Sequence, residues 1–95
     1  MSSIDKDLKD EINVAAYFIS EENNPYDVLC WYLAERLLKY ESKGILPPND
    51  LIKQKAAQIY FEECPYDILA YRIAELDILM KYDLYDVNYI KHNKC

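Results

Sequence analysis

The chain of 95 residues carries 17 acidic and 11 basic side chains, a formal net charge of -6, and 52% hydrophobic residues. This length allows one domain, because domains commonly take about 100–200 residues, and the composition excludes a disordered chain. The acidic balance argues against direct nucleic-acid binding, since a phosphate backbone requires clustered Lys and Arg.

The predicted fold is all-α, with four helices over about residues 4–22, 26–42, 50–63 and 66–90. Apolar residues recur at intervals of three and four, and glycine, which weakens helices, occurs once. No segment of useful length alternates strictly between apolar and polar residues, as a half-buried strand would. We expect a single helical domain over residues 1–95 that ends in a short polar tail at 91–95.

An internal repeat divides the helices into two αα-hairpins, over about residues 4–44 and 49–91. Residues 25–35 (PYDVLCWYLAE) match residues 65–75 (PYDILAYRIAE) at an offset of 40, with six of eleven positions identical. Two repeats are usually too few for a stable solenoid. The repeat therefore predicts a compact, pseudo-twofold four-helix bundle, with an intertwined dimer as the alternative.

The match extends upstream if one residue is inserted. Ala15-Ala16 precede Glu21-Glu22 as Ala56-Ala57 precede Glu62-Glu63. Repeated acids in a helical bundle are also found in di-metal carboxylate sites, which require Glu-x-x-His or Glu-x-x-Glu sets facing inward. Because these Glu pairs are adjacent and the chain has no Glu-x-x-His, we interpret them as solvated charges at helix ends.

Pro-Tyr-Asp triplets begin the second helix of each hairpin. In the first hairpin, Asn24 is predicted as the N-cap, Pro25 as the first helical residue and Asp27 as the third, where its carboxylate meets the positive end of the helix. Pro65 and Asp67 repeat the pattern. We favour this structural interpretation over the alternative, in which the two Tyr–Asp pairs form a symmetric binding edge.

The connection between the hairpins also carries helix-end signals. Gly44 is predicted to follow the second helix at C′, where glycine is most common. Pro47-Pro48 then require an extended chain, and Asn49 or Asp50 is predicted to cap the third helix.

Cysteine and histidine usage indicates neither a metal site nor a cofactor. The three cysteines, Cys30, Cys64 and Cys95, are widely spaced and odd in number, which does not make a disulfide framework. His92 is the only histidine, and a zinc site needs more ligands. Cys64 at a helix start is the best nucleophile, but neighbouring acids oppose its thiolate. We therefore predict that the protein is not an enzyme.

The location of the protein is inferred from what the chain lacks. No apolar run reaches the ~18–20 residues that span a bilayer, and the N-terminal sequence MSSIDKDLKDEI has no apolar signal core. No lipidation signal is visible. We expect a cytoplasmic protein without membrane contact.

A tyrosine stripe in the last helix is the most informative candidate surface. Its members step by three, four or seven residues and so share one predicted helical face: Tyr71, Ile78, Tyr82, Tyr85 and Tyr89. Asp83 and Asp86 flank the stripe. It either packs on the first helix or forms an exposed interaction surface, for which tyrosine is well suited.

These features predict a non-enzymatic protein-binding module, an inhibitor or adaptor, whose partner has a basic or apolar site. The predicted partner-binding residues are Tyr82, Asp83, Tyr85, Asp86 and Tyr89. One alternative is a nucleic-acid mimic that blocks a basic groove, as some phage-encoded inhibitors of host defence do. Another is a homodimer or larger homo-oligomer in which the stripe pairs with itself.

Overall fold

The computed structural model describes residues 6–85, which form four α-helices and no strand. Helix α1 spans Lys6–Glu21, α2 spans Tyr26–Glu41, α3 spans Asn49–Phe61 and α4 spans Tyr66–Lys81. The predicted all-α fold of two hairpins is confirmed. None of these helices, which have 13 or 16 residues, is long and apolar enough to cross a membrane.

The two hairpins interlock, so that each helix packs on the other hairpin. Helices α2 and α4 pack together in the centre, α1 lies against α4, and α3 lies against α2. The Cα atoms of α1 and α2 do not come within 8 Å of each other, and neither do those of α3 and α4. Exchanging the hairpins converts the α1–α4 contact into the α3–α2 contact, which is the relation expected of a pseudo-twofold bundle.

Hydrogen bonds between helices fix their relative directions. The hydroxyl of Tyr82, just beyond α4, donates to Glu11 in the first half of α1, so these helices are antiparallel. The hydroxyl of Tyr40, near the end of α2, donates to the carbonyl of Leu84, so α2 and α4 are parallel. Consequently the N-termini of α2 and α4 lie at the same end of the molecule.

The core is centred on the two parallel helices. Leu29 and Leu33 of α2 are fully buried, as is Leu69 of α4. A second cluster joins the hairpins at α1, where Ile12 packs with Ala74 and Ile78 of α4. Burying one such side chain contributes about 1.5–3 kcal/mol, and each packed pair of helices in residues 6–85 joins one hairpin to the other.

Helices α1 and α3 keep the offset of 40 without an insertion. Ile12 and Ile52 are 0% and 2% exposed, and α1 and α3 end 40 residues apart, at Glu21 and Phe61. The predicted one-residue insertion is therefore wrong. The two Ala-Ala pairs resemble each other in sequence, but the buried isoleucines set the register.

Three helices begin directly after a proline that stands at the N-cap: Pro25, Pro48 and Pro65. The predicted caps at Asn24 and at Asn49 or Asp50 are wrong, because the extended backbone of a proline suits the cap position. The carbonyl of Pro25 accepts the first helical hydrogen bond, from Leu29, while the side chain of Asn24 donates to Glu22.

The acidic residues of the first turns are consequently one position earlier than predicted. Asp27 and Asp67 are the second residues of α2 and α4 rather than the third. No side-chain capping bond is formed at either helix start, and a carboxyl oxygen of Asp67 accepts the N–H of Ile68. Both carboxylates still lie at the positive ends of their helices.

Each helix ends two residues before a residue with left-handed backbone. These residues are spaced by 20 and have φ between 54° and 58°: Asn23, Lys43, Glu63 and Asp83. After α2, Lys43 occupies C′, and the N–H of Gly44 donates to the carbonyl of Lys39 at 2.8 Å. The predicted C′ position of Gly44 is therefore wrong by one residue, although its φ of 100° still requires glycine.

Helix α4 ends earlier than predicted. It stops at Lys81 instead of near residue 90, and the N–H of Leu84 donates to the carbonyl of Leu79 at 2.8 Å. The prediction was wrong because the chain has no glycine or proline here. Asp83 takes the left-handed conformation instead, which Asp tolerates better than most residues.

Candidate protein-binding surface

Two tyrosines hold the hairpins together at the start of the central helices. The hydroxyl of Tyr26 donates to the carbonyl of Cys64 at 2.6 Å, and the hydroxyl of Tyr66 donates to the carbonyl of Asn24 at 2.7 Å. We call these residues the reciprocal tyrosine pair. Each hydroxyl reaches the segment that enters the other central helix, so the tyrosines of the repeated triplets have a structural role.

This end of the molecule, which we call the acidic end, collects residues 20–27 and 60–67. These two segments contain no Lys or Arg. Their six carboxylates are all exposed: Glu21, Glu22, Asp27, Glu62, Glu63 and Asp67. The expectation of solvated helix-end charges is confirmed, and residues 6–85 contain no group of three side chains placed to hold a metal ion.

The acids at the ends of α1 and α3 are unfavourably placed for stability. The C-terminus of a helix carries a partial negative charge, which repels carboxylates by about 0.3–1 kcal/mol each at the surface. Glu21 is the last residue of α1 and Glu22 follows it, and Glu62 and Glu63 are the two residues that follow α3. Both hairpins contribute three acids, so the acidic end belongs equally to the two repeats.

An open groove of about 410 Å³ lies beside the acidic end, between α2 and α3. We call it the aromatic groove. It is lined by Asp27, Cys30, Trp31, Lys53, Ala56, Ala57, Tyr60 and Phe61. Phe61 is 79% exposed and Tyr60 is 50% exposed, so the groove presents aromatic rings to solvent.

Ring contacts connect the aromatic groove to the reciprocal tyrosine pair. The ring of Tyr60 lies edge-on to that of Tyr26, with centroids 5.6 Å apart, and edge-on to that of Phe61 at 5.9 Å. Edge-to-face pairs of this kind add about 0.5–1.5 kcal/mol beyond burial. The contact with Tyr26 therefore holds Tyr60 beside the groove despite its exposure.

The two exposed rings at the edge of the aromatic groove, Tyr60 and Phe61, occur in only one of the two repeats. At the offset of 40, Tyr60 and Phe61 correspond to Ser20 and Glu21 on α1. Glu22 and Asp27 therefore have acidic counterparts in the second repeat, whereas Tyr60 and Phe61 have no aromatic counterpart in the first. Sequence reasoning missed Tyr60 and Phe61, and comparing the repeats without an insertion would have revealed them.

The thiol of the aromatic groove is not activated. Cys30 is buried, and this burial, together with the nearby Asp27 carboxylate, raises the pKa of the thiol above its ordinary value. A neutral thiol is a weak nucleophile. Cys30 therefore contributes apolar surface to the groove floor.

Residues of the predicted tyrosine stripe pack against several helices. Ile78 is buried and Tyr71 is partly buried, and both pack on α1 in the cluster around Ile12. Tyr82 also contacts α1, through Glu11, whereas the ring of Tyr85 lies 5.0 Å from that of Tyr40 on α2.

The prediction that the stripe continues along one helical face is therefore wrong, because α4 ends before Tyr82 and Tyr85. Asp83 is exposed, next to these two tyrosines in the chain. Asp86 and Tyr89 lie outside the described residues. A partner-binding role for the five predicted residues stays a prediction.

A hydrogen-bonded group of three side chains joins α1 to the end of α4. The Glu11 carboxylate accepts a hydrogen bond from Lys81 at 2.9 Å and another from Tyr82 at 2.8 Å. The bond from Lys81 in the first place, and that from Tyr82 in the second, lower the pKa of Glu11, and the bond to the carboxylate raises the pKa of Tyr82. The group stabilises the α1–α4 contact away from the acidic end.

Exposed apolar side chains also occur away from the aromatic groove. Ile45 and Leu46, in the connection between α2 and α3, line a smaller groove of about 330 Å³. Tyr17 and Phe18 are exposed on the outer face of α1, with ring centroids 5.6 Å apart. Substitutions at these side chains can therefore be compared with substitutions in the aromatic groove, because they remove similarly exposed apolar groups elsewhere on the molecule.

Comparison of the chain with protein-family models, with curated proteins and with solved structures finds no match to any of them.

Proposed function

We propose that the protein binds another protein through the aromatic groove and the adjoining acidic end. The observation that carries the proposal is the exposure of Phe61 and Tyr60 at the edge of an open groove, beside six carboxylates. Exposed aromatic rings that cluster at a groove are typical of interaction hot spots. This surface differs from the one predicted from sequence, while the class of function is the same.

The partner that fits best is a helical segment with an apolar face and a basic end. A groove between two helices accepts the apolar face of a third, through side chains spaced three or four residues apart. The acidic end, which has no basic residue in its two segments, attracts Lys and Arg. A small protein that covers a basic segment of its partner would act as an inhibitor or adaptor.

The proposal is tested with a synthetic peptide that carries Leu and Lys at helical spacing. Trp31 is the only tryptophan and lines the groove, so its fluorescence reports occupancy. Phe61→Ser is expected to weaken binding by about tenfold or more, corresponding to ~1.4 kcal/mol for a hot-spot side chain. The control is Phe18→Ser, which removes a similarly exposed ring from α1.

Equal affinities of the two variants would contradict the groove as the binding site, and so would a peptide that produces no saturable change in fluorescence. Pull-down with Tyr82→Ala/Tyr85→Ala/Tyr89→Ala tests the surface predicted from sequence. If the folded triple variant no longer recovers the partner while Phe61→Ser still does, the binding surface lies beyond α4. This result would favour the five residues predicted there.

A nucleic-acid mimic is the second candidate function. It is favoured by the acidic end, where the reciprocal tyrosine pair brings together two segments that carry six carboxylates and no Lys or Arg. Mimicry predicts that a DNA duplex competes for the partner and that raised salt weakens the complex. Under mimicry, Glu62→Gln/Glu63→Gln reduces binding and Phe61→Ser does not.

A further inference from the structure

We propose that the protein also pairs with a second copy of itself by exchanging hairpins. In this domain-swapped dimer, the α1–α2 hairpin of each chain packs on the α3–α4 hairpin of the other. The proposal rests on the interlocked topology, in which helices of the same hairpin do not lie alongside each other. A hairpin therefore finds its packing partners only on the opposite hairpin.

The contacts that hold the fold are made between hairpins and can form equally well between two chains. Ile12 of α1 packs with Ala74 and Ile78 of α4. The guanidinium of Arg36 on α2 donates to Asp77 on α4, with the Nε and Oδ1 atoms 2.9 Å apart. The two bonds of the reciprocal tyrosine pair also cross from one hairpin to the other.

The connection at residues 42–48 contributes little to the core. Ile45 and Leu46 are 69% and 65% exposed. Lys43 adopts the left-handed backbone conformation, which is unfavourable for residues other than glycine. Opening this connection releases the unfavourable conformation and costs only local hydrogen bonds, such as that from Ser42 to the carbonyl of Ile45. Pro47-Pro48 keep the opened segment extended.

Monomer and exchanged dimer share the same interfaces, so the balance depends on concentration. A short connection holds its ends at an effective concentration in the millimolar range, which favours the monomer at lower protein concentrations. The dimer becomes dominant when the connection can no longer close. If the proposed partner binding is correct, the dimer presents two acidic ends and gains avidity toward a bivalent partner.

The first experiment deletes residues 43–46, which joins Ser42 to Pro47 and removes no core side chain. Two Cα–Cα steps then separate Ser42 from Pro48, a reach of about 7 Å. Three residues then connect α2 to α3 instead of seven, and two of them are prolines that hold the chain extended, so folding back onto the α2 of the same chain is disfavoured. The control inserts Gly-Ser-Gly after Gly44, which leaves closure easy.

Light scattering of the deletion variant is expected to give twice the monomer mass, with helical circular dichroism per residue unchanged. The insertion variant is expected to stay monomeric at the same concentration. A monomeric deletion variant, whether folded or unfolded, would overturn the proposal.

A second experiment keeps the native connection. One chain carries Leu33→Asp, which places a charge in the core of its first hairpin, and the other carries Ile73→Asp, which does the same in its second hairpin. The two positions are 0% and 2% exposed. Neither chain is expected to fold alone. When the two chains are refolded together, the intact second hairpin of one chain is expected to pack on the intact first hairpin of the other. One of the two four-helix units of the dimer then folds, which recovers about half of the native helical signal.

No recovery in the mixture would overturn the exchange. Glu62→Gln/Glu63→Gln in both chains is expected to leave the recovery unchanged, because these acids make none of the contacts between hairpins described above. Failure of the exchange is thus measured independently of failure of the proposed partner binding.

Discussion

The reciprocal tyrosine pair gives the most direct test of the pseudo-twofold fold. Tyr26→Phe and Tyr66→Phe each remove one hydroxyl and keep the ring, so each removes a hydrogen bond of 2.6 or 2.7 Å to a carbonyl of the other hairpin. A typical net contribution is about 0.5–1.5 kcal/mol for a hydrogen bond, and an acceptor left without a partner adds to the loss.

We therefore expect each single variant to lose about 1–2 kcal/mol of unfolding free energy. For a domain of this size, that corresponds to a melting temperature lower by roughly 4–16 °C. The measurement is urea unfolding followed by circular dichroism. Tyr17→Phe is the control, because this tyrosine is 60% exposed on α1 and is expected to change stability by less than about 0.5 kcal/mol.

The double variant tests the symmetry of the pair. If the two bonds act independently, the losses add to within about 0.5 kcal/mol. If one single variant lost unfolding free energy and the other lost none, the argument that the two hairpins hold each other equivalently would be refuted. The same conclusion would follow if both variants were as stable as Tyr17→Phe.

Three further predictions concern charged side chains. Because the pKa of Glu11 is lowered in the folded state, its carboxylate stabilises the fold fully above pH 4.5, and this stabilisation is lost as the pH falls through the folded pKa. Glu11→Gln should therefore flatten the acid side of a curve of unfolding free energy against pH, and an unchanged acid side would contradict this. Partial burial raises the pKa of Asp77 despite the nearby Arg36, and 43% of the Asp77 side chain is exposed, so Asp77→Asn at neutral pH should change the unfolding free energy by less than about 1 kcal/mol; a larger loss would refute it. Glu63→Gly replaces a left-handed residue at a helix C-terminus and should raise the melting temperature while weakening partner binding; a less stable variant would refute the account of helix ends.

The all-α fold and the repeat could be predicted because both depend on local patterns. Apolar spacing and the shared Pro-Tyr-Asp triplets identified the hairpins and placed the start of α2 and α4 to within one residue. How the hairpins interlock is a tertiary property. The sequence contains no separate signal that Ile12 meets Ala74 on α4 instead of packing on α2.

The candidate surface was harder to predict, since it depends on where helices end. Extending α4 to residue 90 placed Tyr82 and Tyr85 on one face, but the left-handed Asp83 ends the helix and directs them to different neighbours. Asp and Lys at such positions carry no distinctive signal, unlike glycine. The spacing of 20 between left-handed residues becomes visible only in the folded chain.

The distribution of charge and aromatic rings between the repeats suggests how recognition is divided. Acids at the ends of α1 and α3 oppose the helix dipole in both hairpins, and selection for stability alone would favour Lys or Gly there. Only the second hairpin adds Tyr60 and Phe61. Both repeats thus supply carboxylates to the acidic end, whereas the exposed rings of Tyr60 and Phe61 come from α3 alone. A basic partner would be drawn to the whole acidic end and held in a single orientation by the aromatic groove.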